Sequence, residues 1–186
     1  MRLVSRLTST LLAAGVASTA CAQPVVWSGN GHYYEIVLQN GTWSAARTAA
    51  ESRTWLGVSG HLVSITSAAE NQFLTTSFGG SSLDLKWTGG YQPAGSPEPG
   101  GGWTWTTGEA FSFNGWSPGE PNNVGGNESV IVFAHALQSW GKPWSDFNGS
   151  GNLTGFVVEY PVPGPGALPA AGIAAVWCSR RSRRTK

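Results

Sequence analysis

The residues best suited to chemistry lie in one stretch, GWSPGEPNNVGGNESV, which runs from Gly115 to Val130. It contains two carboxylates, Glu120 and Glu128, and three amides, among them Asn122, but no lysine or arginine. Its glycines and prolines exclude a helix. Acids and amides in such a loop are compatible with three interpretations: a solvated turn, a catalytic pair, or ligands for a hard cation.

The catalytic interpretation is the least favoured. Glycosidases place two carboxylates roughly 5 to 9.5 Å apart, and their general acid needs a desolvated pocket. A loop rich in glycine and asparagine offers little desolvation. His32, His61 and His135 form no ligand-spaced cluster, and no nucleophile motif occurs. The sequence therefore predicts a protein that is not an enzyme.

A calcium site fits the residue types better. Calcium takes roughly six to eight oxygen ligands from carboxylates, amides, backbone carbonyls and water. Glu120, Asn122 and Glu128 supply that mixture, and Asp146 adds a carboxylate at the start of a later strand. A cis bond before Pro121 would turn the flanking carbonyls to one side. The spacing of an EF-hand is missing, and a solvated turn stays open as the alternative.

Regular elements must position this loop. The patterning predicts strands over 32–38, 60–65 and around Trp87, and helices beginning at Thr42 or Ser44 and at Ser67. Ser67 and Glu70 are predicted to form a capping box at the second helix. Between Tyr91 and Glu128 no regular pattern is visible, and a loop of that length usually has a function. Three further strands are predicted in SVIVFAHA, KPWSDF and GFVVEY. This order predicts an α+β domain.

Nine tryptophans fall in this middle part of the chain. Most are predicted to pack in the core, including Trp43, Trp87 and Trp105. An exposed tryptophan beside a polar site would instead stack on a sugar ring, because aromatic faces pack against apolar C–H groups.

Charge in the chain is divided between the ends and the middle. The formal net charge is +1, but only four of the eleven basic residues lie between Gln23 and Tyr160, together with all ten acids. The middle thus carries about −6, which argues against a nucleic-acid partner.

The N-terminus has the features of an export signal. Residues 1–22 combine a basic start, a short apolar run and small residues before Gln23. An ordinary N-terminal helix, or a lipoprotein acylated at Cys21, are the alternatives. Export in turn predicts a protein at the cell surface or in the extracellular matrix.

Residues 161–186 form a Pro/Gly linker, an apolar segment from Ala167 to Trp177 and a basic cluster. The apolar segment is shorter than the roughly 20 residues of a stable span, so a transient membrane anchor is predicted. The tail, with VPGPG at its head, resembles the PEP-CTERM class of bacterial sorting tails. That resemblance implies a Gram-negative-type envelope and an exosortase-like processing partner; a simple tail anchor is the alternative.

The middle of the chain, 23–160, resembles the C-type lectin domain. The resemblance rests on EPN at Glu120, an acid at Glu128, W-x-D at Trp144 to Asp146 and a closing GFVVEY. WSAARTAAES, HLVSITSAAENQFL, KWTGGYQ and WTWTTGEAFSFNGWSPGEPNN match the rest of the pattern in order.

The resemblance implies a fold of two helices flanking small antiparallel sheets, with a long irregular loop that binds calcium and ligand. It implies that the ion coordinates two vicinal sugar hydroxyls, and that an EPN loop selects mannose- or glucose-type sugars. The implied calcium ligands are Glu120, Asn122, Glu128, Ser145 and Asp146, and all but Ser145 also contact the sugar. The implied structural residues are Pro121, as a cis proline, Trp87, Trp105 and Trp144.

The chain departs from the family pattern at three places. Ser145 stands where an asparagine usually supplies a ligand oxygen, and Ser129 stands where a second acid is common. Val130 and Val158 stand where cysteines often pair, and the only two cysteines, Cys21 and Cys178, lie in the end segments. Apolar packing must then replace the covalent ties.

Two functional classes remain. One is an exported, calcium-dependent module that binds extracellular or cell-surface polysaccharide. The other is an adhesion or scaffold domain with a protein ligand, in which calcium is structural or absent. The EPN sequence favours the first class and Ser145 favours the second.

Overall fold

A computed structural model describes residues 23–134 and 144–162, except for the side chains of residues 80 and 81. The predicted signal peptide, 1–22, and nearly all of the predicted tail lie outside these ranges. Within them, no helix combines the length and the hydropathy needed to cross a membrane.

The described residues form two helices, one eight-stranded sheet and one two-stranded sheet. The helices are α1 (Trp43–Ser52) and α2 (Ala68–Phe78). The strands are β1 (Val25–Val26), β2 (Tyr33–Val37), β3 (Thr54–Trp55), β4 (Val58–Ser59), β5 (His61–Leu62), β6 (Trp87–Tyr91), β7 (Thr104–Trp105), β8 (Val130–Phe133), β9 (Trp144–Phe147) and β10 (Phe156–Tyr160). The predicted α+β class is confirmed.

The large sheet has the order β1-β2-β10-β6-β8-β9, with β5 also pairing with β10 and β7 with β6. All its pairs are antiparallel except β10 with β6, which meet in parallel at Phe156 and Trp87. The small sheet pairs β3 with β4. The chain therefore closes on itself, because its last described strand lies between its early strands and the strands that carry the loop.

Both helices begin where their capping residues predict. The Thr42 hydroxyl accepts a hydrogen bond from the Ala45 N–H at 3.3 Å, and the Ser67 hydroxyl accepts one from the Glu70 N–H at 3.1 Å. The face of α1 that carries Ala46 and Ala50 is buried against the sheet.

The core occupies both faces of the large sheet. All four residues of β8 are at most 4% exposed, so the strand is covered on both sides. Val130 and Val158 lie in one apolar cluster around Trp87, where packing takes the place of a covalent tie. Trp43 is half-buried, and its indole N–H donates to the Thr88 carbonyl oxygen at 2.8 Å.

The long loop has a core of its own. Trp105, which is 1% exposed, packs edge-on against the buried Trp144, with ring centroids 5.5 Å apart. Phe111, Phe113 and Trp116 also contact the Trp144 ring. The sequence pattern predicts no strand here, yet β7 pairs with β6. Two residues are too few to show a strand period, so this pairing was not visible in the sequence.

Candidate functional site

The first half of the loop is tied to the start of β9. The Ser117 N–H donates to the Trp144 carbonyl oxygen at 2.8 Å, and the Glu120 N–H donates to the Ser117 carbonyl oxygen at 3.0 Å. The peptide bond between Glu120 and Pro121 is cis. These contacts place Glu120 beside β9, the strand that carries Ser145 and Asp146.

Asp146 holds the tip of the loop. Its side chain is 2% exposed and accepts hydrogen bonds from two consecutive backbone N–H groups. The Asn122 N–H lies 3.0 Å from Oδ1 and the Asn123 N–H lies 2.7 Å from Oδ2. A buried carboxylate thus fixes the backbone on which Asn122 is carried.

Glu128 closes the loop from its other end. Its Oε2 accepts a hydrogen bond from the Val124 N–H at 2.7 Å, and the same N–H lies 3.0 Å from the Asn122 Oδ1. The Glu128 N–H donates to the Asn123 Oδ1 at 3.0 Å. Asn123 adopts a left-handed conformation, with φ +48°, which asparagine tolerates better than most residues.

All five predicted ligand residues line one cavity of about 330 Å³. Glu120, Asn122 and Glu128 come from the loop, and Ser145 and Asp146 come from β9. Apolar residues complete the wall: Leu85, Val124, Val132, Ala134 and Phe147. The structure therefore brings together residues that are separated by up to 26 positions in the sequence.

Two acids of this cavity, Glu120 and Glu128, have raised pKa values. Burial, a hydrogen bond with Asp146 and the charges of Asp146 and Glu128 raise the pKa of Glu120 to about 7, against a smaller opposing effect of a hydrogen bond with Ser145. Burial also raises the pKa of Glu128, although the Val124 N–H opposes this. In both cases burial disfavours the charged form of the carboxyl group more strongly than the available donors favour it.

One oxygen of Glu120 is left without a partner. Its Oε2 is buried and makes no hydrogen bond within the described residues. An unsatisfied buried oxygen is costly, and native proteins usually pair such atoms with a donor, a water or an ion. Lys86, on the neighbouring β6 side, is engaged elsewhere, because its Nζ donates to the Asp84 carbonyl and to Thr154.

The donor set fits calcium better than a transition metal. In the described ranges, no three His, Cys, Asp or Glu side chains form a cluster compact enough to hold an ion by themselves. Glu120 and Asp146 are in contact, whereas Glu128 acts on Glu120 through its charge alone. An ion here therefore needs the Asn122 amide, carbonyl oxygens and water, which are hard oxygen ligands of the kind that calcium takes.

Sequence reasoning missed Val124 and the backbone donors of the loop. Val124 is 65% exposed and lines the cavity with Asn122 and Glu128, so its side chain offers an apolar contact to a ligand. An apolar residue within a polar loop was the available indication. The N–H groups of 122–124 have no signature in the sequence, because every residue except proline carries one.

No protein-family model matches the chain. Curated relatives do match it. Halomucin of Haloquadratum walsbyi is 30% identical over 153 residues, 74% of this chain but 2% of halomucin. Human C-type lectin domain family 4 member K is 34% identical over 119 residues, 61% of this chain and 32% of the relative. The C-type lectin lectoxin-Lio1 of Erythrolamprus poecilogyrus is 30% identical over 122 residues, 65% of this chain and 69% of the relative.

Solved structures share the fold. The EPNH mutant of CEL-I, a C-type lectin from Cucumaria echinata, aligns with a TM-score of 0.61 at 24% identity over 77% of this chain and 98% of its own. The cow C-type carbohydrate-recognition domain of CD23, solved in the presence of a GlcNAc2Man3 oligosaccharide, gives 0.56 at 27% identity over 70% and 88%. A calcium-independent type II antifreeze protein gives 0.57 at 19% identity over 75% and 93%.

Proposed function

Because the chain belongs to the C-type lectin family of carbohydrate-binding, non-enzymatic proteins, we propose that it binds mannose- or glucose-type sugars in a calcium-dependent manner. The observation that carries this proposal is the buried Glu120 Oε2, which has no partner among the residues that the structure describes and lies in a cavity lined by Glu128 and Asp146. Burial raises the pKa of Glu120 most, and repulsion by Asp146 and Glu128 adds to it; a divalent cation would satisfy the unpartnered oxygen and neutralise that repulsion.

Five residues would hold the ion: Glu120, Asn122, Glu128, Ser145 and Asp146. When bound, calcium would coordinate two vicinal hydroxyls of the sugar. Glu120 and Asn122 contribute opposite hydrogen-bonding groups, since a carboxylate accepts and an amide N–H₂ donates. Asp146 fixes the backbone of Asn122 and Asn123, so the loop tip is held in one conformation.

We propose that the protein acts outside the cell. Residues 1–22 would direct export, 23–160 would form the lectin domain, and 161–186 would serve as a sorting tail that holds the protein transiently at the membrane. An exosortase-like enzyme would process that tail, and the domain would then meet extracellular or cell-surface polysaccharide. The sequence of the two ends supports this part of the proposal. The chain spans only 2% and 32% of two of its relatives, so their wider activities are not transferred to it.

The first experiment is a calorimetric titration of the chain with methyl α-mannoside, in calcium and again in excess EGTA. We expect methyl α-mannoside to bind in calcium, and we expect the calcium-dependent part of the heat signal to disappear in EGTA. The Glu120→Gln, Asn122→Asp double variant reverses the donor and acceptor pattern, and its preference should move toward galactose-type sugars. Equal binding with and without calcium would rule out the calcium mechanism, and an unchanged preference would rule out direct contact by this loop.

A second candidate function is the binding of a protein ligand without coordination of sugar by calcium. Ser145 favours it, because a serine hydroxyl is a shorter and weaker ligand than the amide it replaces. The same fold also occurs in a calcium-independent antifreeze protein. Failure of the chain to bind calcium at about millimolar concentration, the range of weak extracellular sites, would select this alternative.

A further inference from the structure

A second cavity, of about 430 Å³, shares no residue with the cavity around Glu120. It lies where the start of the described chain meets the end of α1 and strands β2, β3 and β10. Its wall includes Glu35, Ser52, Arg53, Thr54, Trp55 and Tyr160. None of these residues belongs to the loop from Gly115 to Val130, which is called the calcium loop below. The volume of the cavity is in the range of small-molecule sites.

An oriented guanidinium forms part of the wall. The Arg53 Nε donates to the Glu35 Oε1 at 2.7 Å, and the Tyr160 hydroxyl donates to the same oxygen. Within the described residues, the side-chain hydrogen bonds of Arg53 are made by Nε alone. Glu35 and Tyr160 are 6% and 2% exposed, whereas the Arg53 side chain is 31% exposed. The ion pair therefore fixes the guanidinium while its outer N–H groups remain available.

The charges of the wall decide the class of ligand. The Arg53–Glu35 pair carries no net charge, so it suits a neutral ligand better than a strongly charged one. It nevertheless offers hydrogen-bond donors on Arg53 and an acceptor carboxylate on Glu35, side by side. A pair of vicinal hydroxyls both donates and accepts, and therefore matches this arrangement.

An aromatic wall completes the match. Trp55 is half-buried and lines the cavity, and its ring packs at 6.0 Å from the Tyr33 ring, which limits its movement. Aromatic rings of this kind pack well against the apolar C–H groups of a pyranose ring. We propose that this cavity is a second carbohydrate site, which binds a neutral hexose without calcium. One domain would then contact a polysaccharide at two points, and the linkage of the two contacts would raise avidity for polymers over single sugars.

The test uses the full chain in excess EGTA, which silences the calcium loop. The probes are two neutral polymers, mannan and dextran, and one anionic polymer, polygalacturonate, and binding is measured by affinity electrophoresis. Arg53→Met removes the guanidinium, and Thr54→Arg places a bulky side chain at an exposed position in the wall. The matched control is Arg47→Met, which removes the same charge from α1, where Arg47 pairs with the exposed Glu51.

We expect the wild-type chain to bind mannan or dextran in EGTA, and both cavity variants to bind at least about tenfold more weakly. Arg47→Met should bind like the wild type. Circular dichroism checks folding, and if Arg53→Met is unfolded then Thr54→Arg decides. Absence of wild-type binding to both neutral polymers, equal binding by Thr54→Arg, or a preference for polygalacturonate would each overturn the proposal.

The calcium-dependent function is read separately in the same samples. Thr54→Arg should retain calcium-dependent binding of methyl α-mannoside, because no residue is shared between the two cavities. If the wild-type chain shows no calcium-dependent binding of methyl α-mannoside, the proposed calcium site around Glu120 is refuted, whereas the proposal of a second site is unaffected.

Discussion

Two groups of acids in this molecule have opposite surroundings. In the interior, Glu159 is 2% exposed and accepts hydrogen bonds from His32 Nδ1 at 2.6 Å, the Tyr34 hydroxyl at 3.2 Å and the Ser64 N–H at 3.1 Å. Glu70, which is 1% exposed, accepts bonds from the same Tyr34 hydroxyl at 2.7 Å and from Thr66. Every interaction there is supplied by the protein.

For the three acids of the cavity around Glu120, the internal supply of donors is incomplete. Asp146 and Glu128 receive backbone N–H groups, but Glu120 keeps a buried oxygen that has no partner among the described residues. Burial raises the pKa of Glu70 as well as that of Glu120, so burial does not distinguish the two groups. The two groups differ in the number of hydrogen-bond donors that the protein supplies to them. Acids whose oxygens all receive hydrogen bonds from the protein hold its elements together. An acid that keeps an unpartnered oxygen indicates a binding site for an ion or another ligand.

The largest expected difference between the groups is in stability. Glu159→Ala leaves the buried Ser64 N–H without its acceptor and His32 without its carboxylate partner, and we expect it to lower the free energy of unfolding by about 2–3 kcal/mol. Both variants are measured by urea unfolding in one buffer that contains EGTA. Glu128→Ala should lower the free energy of unfolding by less than about 1 kcal/mol, because it also removes the repulsion between Glu128 and Glu120. Equal costs would show that the interior acids are no more structural than the loop acids.

A smaller effect sharpens the assignment of the loop to calcium. Ser145→Asn extends a ligand oxygen into the cavity, and we expect it to tighten calcium binding about tenfold, or ~1.4 kcal/mol. Isothermal titration with calcium measures the change. Ser77→Asn makes the same chemical change at an exposed position of α2 and should leave the affinity unaltered. If both variants bind calcium like the wild type, position 145 takes no part in the site.

The smallest expected effect is the pH dependence of the interior group. The hydrogen bond with Glu159 raises the pKa of His32 above its usual 6.5, against the opposing effect of burial. A raised histidine pKa stabilises the fold fully below about pH 6.5, and this contribution is lost as the pH rises through the pKa of the folded state. His32 is 22% exposed, so solvent screening keeps the contribution below about 1 kcal/mol.

Urea unfolding of the wild type and of His32→Gln, at about pH 5.5 and about pH 8.5, tests this expectation. The stability advantage of the wild type over the variant should shrink at the higher pH. An advantage that is the same at both pH values would show that the charge on His32 contributes nothing.

Local patterns predicted much of the fold. Thr42, one of two predicted caps, and Ser67 marked the starts of the helices, and β-branched and aromatic residues marked most of the long strands. Part of the capping prediction at α2 was wrong, because the Glu70 carboxylate accepts hydrogen bonds from Thr66 and Tyr34 instead of turning back to the Ser67 N–H. Tertiary partners decided that case, and no local rule contains them.

The candidate site was predictable only as a set of residue types. The motif around Glu120 named the residues that line the cavity, but the unpartnered oxygen depends on distances that the sequence does not carry. The cavity beside Arg53 had no indication in the sequence, since Glu35 and Tyr160 meet through the pairing of β2 with β10, and Arg53 reaches them from the end of α1. The roles of 1–22 and 161–186 stay predictions.

The valines at 130 and 158 bear on where the chain can mature. Both are at most 4% exposed in one apolar cluster, and no cysteine occurs between residues 23 and 160. The native state of the domain formed by residues 23–160 therefore does not depend on the redox potential of its surroundings. Neither an oxidant nor a thiol isomerase is needed to reach it, and a reducing agent has no bond in this domain to attack.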